Sequence, residues 1–147
     1  IIENFEISPS STRISVATFE NFPKMEFSFQ KYSDLNSAKF AVDAIQISNG
    51  GTRIGEALKL VKTDMFNTAR SNVPRMLLVM TDGRSSDDVV APSRALRDIG
   101  VTILTLGLGS DYDLDQLKMI ASGVDLVFES PFDQLPQMVE KVQQKAC

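Results

Sequence analysis

The residue order predicts an open α/β domain: a mainly parallel sheet with one antiparallel edge strand and helices on both faces. Short apolar runs alternate with segments of helical spacing in the order β-β-α-α-β-α-β-α-β-α, a pattern that buries helices against a sheet. Met76–Met80 and Val101–Leu106 are unbroken apolar runs, as expected of parallel strands covered on both faces. Near the start, period-two alternation marks a strand pair of a different kind.

Taken in order, Ile1, Ile2, Phe5 and Ile7 read as the last turns of a helix, closed off by Ser8-Pro9-Ser10-Ser11. Thr12–Phe19 alternates polar and apolar side chains, and Lys24–Phe29 repeats the alternation through Met25, Phe27 and Phe29, with Asn21-Phe22-Pro23 as the turn between. Asp34–Ile45 carries Leu35, Ala38, Ala41, Val42 and Ile45 at helical spacing behind a Ser33/Asp34 cap. A second helix opens after Asn49-Gly50-Gly51-Thr52, with Ile54, Ala57, Leu58 and Val61 on one face. Beyond the Met76–Met80 strand, Asp88–Ile99 is helical, Val101–Leu106 a strand, and Asp113–Ala121 a short helix. Leu126–Phe128 is a last strand and Gln134–Ala146 a terminal helix.

Composition narrows the function. With 147 residues, 43% of them hydrophobic, the chain suits one domain with one core. A net charge of −4 and no block of Lys or Arg argue against nucleic-acid binding. No apolar run reaches the length of about 20 residues needed to insert in a membrane. The absence of histidine excludes His-dependent triads and His-containing zinc sites. A lone cysteine, Cys147, excludes an internal disulfide. A chain that starts with Ile in mid-pattern reads as processed or partial.

The chemistry concentrates in three loops. In Arg75–Asp88 an apolar strand ends in Thr81-Asp82-Gly83-Arg84, which delivers a carboxylate to the carboxyl edge of a sheet, with glycine freeing the turn. In Gly50-Gly51-Thr52-Arg53 a hydroxyl follows a glycine pair and opens a helix. The third loop is Gly107-Leu108-Gly109-Ser110.

Together these loops resemble the von Willebrand factor type A family, most closely its extracellular-matrix members such as the matrilins and the collagen-associated A domains. The resemblance runs from Ile1 to Cys147. It implies a protein-binding module, secreted into the extracellular matrix, that holds a divalent cation, Mg²⁺ or Mn²⁺, in a metal-ion-dependent adhesion site on top of the sheet. Thr52 and Asp82 match the second-loop and third-loop ligands; oxygen donors of this kind suit a hard cation. Gly50, Gly51, Arg53, Gly83 and Arg84 fall on the rim that would meet a partner, a matrix protein such as collagen or a second copy of the chain. The family's first strand and its Asp-x-Ser-x-Ser loop have no counterpart here, so the resemblance implies a partial domain. The ion would then depend on that loop being present in the parent protein. Cysteines bracket the domain in matrix members, which implies a disulfide from Cys147 to a cysteine outside this chain.

Plainer readings stand beside these. Thr52 alone reads as a helix N-cap, Asp82 as a turn residue, and Asp87 and Asp88 as favourable charges at a helix N-terminus. Phe19, Phe22, Phe27 and Phe29 read as core and turn packing, and the methionines as gap fillers. Gly107–Ser110 is half a dinucleotide fingerprint, with Tyr112 in place of the third glycine. Asp111, Asp113 and Asp115 mimic the start of a calcium loop that lacks its glycine and final glutamate. A structural building block without a working metal site is the alternative function. An enzyme ranks behind both, for want of a nucleophile–base pair.

Overall fold

A computed structural model describes residues 1–46 and 50–146 of the chain. Its elements, in order, are β1 (Val16–Phe19), β2 (Pro23–Phe27), α1 (Leu35–Asp43), α2 (Ile54–Leu60), β3 (Arg75–Thr81), α3 (Val90–Asp98), β4 (Val101–Leu108), α4 (Leu114–Ile120), β5 (Val127–Ser130) and α5 (Leu135–Ala146). The order matches the sequence pattern, with helices on both faces of a Rossmann-like sheet.

The differences lie mostly at element ends and have local causes. Instead of a helix end, the first residues form a 3-10 turn over Ile2–Asn4, stopped by extended backbone at Phe5. Regular pairing in the first strand starts at Val16, not Thr12, and its register shifts between Val16 and Ala17. Just before that point the Ser15 hydroxyl donates to the Phe27 carbonyl at 2.6 Å and replaces a ladder amide. The second strand stops at Phe27 because the chain turns, with the Lys31 amide donating to the Ser28 carbonyl. The α2 helix runs past the expected face into a π turn, Val61–Met65, and a 3-10 turn, Phe66–Thr68, which add buried Met65 and Phe66 to the core.

The strands form two groups. β3, β4 and β5 are parallel, with Thr81 opposite Gly107 and Leu108 opposite Ser130. β1 and β2 pair antiparallel, and no strand among the described residues joins β1 to β3. Expectation and structure part company here: β4 is buried along nearly its whole length, but β3 is only half-buried, and Met80 is 43% exposed. An apolar run buries itself only where neighbours cover it, and β3 has a paired neighbour on one side.

The core is built by α2 with its continuation (Ile54, Leu58, Val61, Met65, Phe66), joined by Val79, Val89, Leu96, Val101, Ile103 and Ile120. α2 packs beside α3, and α3 beside α4, while α5 lies against β5. At the sheet's amino end Arg70 donates to the Ser10 and Ser11 carbonyls, and Arg75 to those of Arg70 and Ile99. Those bonds tie the loop before β1 to the start of β3. No helix among the described residues is long and apolar enough to cross a membrane.

Candidate functional site

β3, β4 and β5 run parallel and all release their loops at one edge, so Asp82, Gly109 and Pro131 emerge side by side. The start of α2 is drawn to the same edge by hydrogen bonds from the segment after β3. The Ser86 amide and hydroxyl donate to the Thr52 carbonyl at 3.0 and 3.1 Å. The Ile54 amide donates to the Ser85 hydroxyl oxygen at 2.9 Å, and the Ser85 hydroxyl donates to Asp87 at 2.6 Å. Asp87 also accepts from the Gly55 and Glu56 amides at 2.9 and 2.8 Å.

Asp87 therefore caps a helix, but not the one that follows it. It closes the N-terminus of α2, more than thirty residues upstream, where free amides and the helix dipole favour a carboxylate. Asp88 serves α3, accepting from the Val90 amide at 2.9 Å. Burial works against charge on Asp87, yet the Ser85 hydroxyl and the Gly55 and Glu56 amides outweigh it and hold the carboxyl below its ordinary range. The cap sits so close that Gly55 admits no side chain: a Cβ there would stand 2.0 Å from the Asp88 carbonyl oxygen.

Because Asp87 and Ser85 take these amides, Thr52 is not the N-cap of α2. That position falls to Arg53, which makes no side-chain cap. The Thr52 hydroxyl has no hydrogen-bond partner among the described residues and faces Gly83, where a Cβ would lie 3.1 Å from its Oγ1. A side chain at Gly83 would crowd the Thr52 hydroxyl; the glycines with positive φ are Gly100 and Gly109. Around it the Thr81 hydroxyl bonds both the Gly83 amide and the Gly83 carbonyl, at 3.2 and 3.0 Å. The Asp82 carboxylate is exposed and forms no ion pair among the described residues.

Of the other rim residues, Gly50 and Gly51 pack against the β1–β2 turn, where the Gly51 amide donates to Asn21 Oδ1 at 3.0 Å. Arg53 lies over the Phe22 ring, 5.8 Å from its centroid. Phe22 is therefore not core packing; it is 79% exposed, whereas Phe27 is buried and Phe19 and Phe29 pack against the core. The methionines divide in the same way, Met65 filling the core and Met119 standing exposed. Arg84 pairs with Asp113 at 3.3 Å. Cys147 lies outside the described residues.

A hydroxyl and a carboxylate, both without hydrogen-bond or ion-pair partners among the described residues, suit a hard divalent cation. They are too few to enclose one, and no cluster of three or more acidic or sulfur ligands among the described residues completes the set. The arrangement is that of an open α/β domain whose strand-end loops gather at one edge. The chain belongs to the von Willebrand factor type A domain family, whose model matches residues 1–141. It is 35% identical to the mouse collagen alpha-4(VI) chain over 147 residues, all of this chain but 6% of the relative, and 29% identical to human vitrin, of which it spans 22%. Among solved structures it is similar to proximal thread matrix protein 1 from the mussel byssus with a zinc-occupied MIDAS motif. That likeness has a TM-score of 0.94 at 30% identity and covers 99% of this chain and 38% of the other. These similarities place the chain with the extracellular-matrix members of the family.

Proposed function

We propose that the domain is a non-catalytic adhesion module that binds an extracellular-matrix protein, such as collagen or a second copy of itself, through a divalent cation on its carboxyl edge. Thr52 and Asp82 hold the ion, Mg²⁺ or Mn²⁺, and an acidic side chain of the partner takes an open coordination position. The remaining ligands come from a strand and loop outside this chain, lying between β1 and β3. Cys147 pairs with a cysteine outside the chain.

The observation that carries this reading is a pair of oxygens without partners among the described residues, with Thr52 braced by Ser86 and α2 by Asp87. The zinc-occupied motif in the mussel structure supports it. The test is binding to immobilised fibrillar collagen, and to itself, of a chain extended to include the proposed strand and loop, in Mn²⁺, in Mg²⁺ and in EDTA. Binding should vanish in EDTA and fall by about tenfold or more in Thr52→Val and in Asp82→Ala. Binding indifferent to EDTA and to both substitutions rejects the metal bridge.

A further inference from the structure

Two solvent-facing phenylalanines bracket the edge assigned above to partner binding: Phe22 is 79% and Phe132 61% exposed. A continuous path joins them. Arg53 lies over Phe22, Thr52 precedes Arg53 and faces Gly83, Gly83 follows Asp82, and Asp82 shares with Phe132 a cleft of about 570 Å³.

Phe132 is held in place. It follows Pro131, with φ −58°, in a 3-10 turn. Its ring lies against Gly109, where a Cβ would stand 2.6 Å from the ring; that residue has φ +75°. The glycine supplies the backbone angle and leaves room for the ring to approach. Pre-ordered aromatic rings lose little freedom when they dock, which is why they recur as anchors of protein interfaces.

Charge selects the occupant. Asp82, Asp111 and Asp133 line the cleft beside Phe132, and none of them forms an ion pair with a Lys or Arg among the described residues. Arg84, the cation nearest in sequence to Asp82, is taken up by Asp113. A carboxylate-lined cleft with an aromatic wall suits a guanidinium or ammonium stacked on the ring.

We propose that this strip docks an extended protein segment in which a Lys or Arg is flanked by apolar side chains. The basic group sits against Phe132 and the carboxylates of Asp111 and Asp133, and an apolar residue further along the segment rests on Phe22. The proposal rests on the carboxyl edge being the partner-binding face, and it does not need the metal ion.

The test is selection from a random-peptide phage library on the chain extended to include the proposed strand and loop, in Mn²⁺ and separately in EDTA, followed by affinity measurements with the enriched peptides made synthetically. The enriched peptides should carry Lys or Arg beside apolar residues. Their affinity should fall about tenfold in Phe132→Ala and less in Phe22→Ala. Asp133→Asn should weaken binding and flatten its salt dependence. Both rings are mostly exposed, so the variants should melt as the parent does; Asp133→Asn tests the same cleft without removing a ring. No enrichment, enrichment of acidic peptides alone, or affinities unchanged in all three variants overturns the proposal. Peptides that bind in EDTA yet fail on Phe132→Ala uphold the strip without the metal bridge. Peptides lost in EDTA but indifferent to Phe132→Ala do the reverse.

Discussion

Leu106 and Met80 are register partners on adjacent parallel strands, yet Leu106 is fully buried and Met80 is 43% exposed. Both side chains are large and apolar, and both project from the same face of the sheet at the same level. What separates them is company: β4 has β3 on one side and β5 on the other, with Leu106 opposite Phe128, whereas among the described residues β3 is paired on one side only. Hydrophobicity gives a strand the capacity to be buried, and its neighbours decide whether that capacity is used.

The largest effect that sharpens this contrast is Leu106→Ala. It should cost about 3–4 kcal/mol in urea unfolding, the range for a truncated buried leucine, while Met80→Ala should stay within about 0.5 kcal/mol. Equal costs would break the comparison. The same pair reports on the strand proposed between β1 and β3. In a chain that carries it, Met80→Ala should rise to about 2 kcal/mol, and the β3 amides that exchange with solvent in the present chain should become protected. Unchanged exchange would mean that nothing pairs with the free side of β3.

A smaller effect probes how the two loops of the edge are joined. Asp87→Asn replaces a carboxylate that accepts from Ser85, Gly55 and Glu56, and it should cost about 2 kcal/mol, as for hydrogen bonds to a charged group. Because the Asp87 carboxyl is depressed in the fold, it binds a proton less readily folded than unfolded. Its contribution is therefore complete above the ordinary carboxyl range and is lost as pH falls through the folded value. Urea unfolding from about pH 6 down to about pH 3 should show the parent losing more stability than Asp87→Asn; parallel profiles would exclude Asp87 as the source. Smallest is Asp113→Ala, which removes the α4 N-cap bond to the Gln116 amide and should cost about 1 kcal/mol. Thermal melts would register it as a shift of a few degrees.

Much of this was legible in the residues and some was not, for definite reasons. The alternation of elements, the cap at Asp34 and the β4 strand follow from local patterns and need no distant partner. The half-burial of β3 could not be read from Met76–Met80, because an apolar run looks the same whether or not a neighbour lies beside it. At the edge, Thr52 and Asp82 stood out by their loops. The sequence marks Asp87 as a charge at a helix N-terminus, but not which helix it serves. A cap formed across more than thirty residues leaves no spacing to recognise. Phe22 was taken for packing because an aromatic in a turn carries no mark of the direction it faces. The one available signal was its position beside Pro23 in a tight hairpin turn, where side chains seldom find cover.

The contact at Gly55 has a genetic consequence. The oxygen that a methyl group would strike belongs to the Asp88 backbone, so no side chain can swing aside to admit it. The first turn of α2 gives up about 1 kcal/mol of helix propensity to keep a glycine there. A missense change at that codon would spare Thr52, Asp82 and every side chain that meets a partner, yet push apart the two loops that carry them. If the domain binds as proposed, such an allele would lose binding although every proposed contact residue was intact.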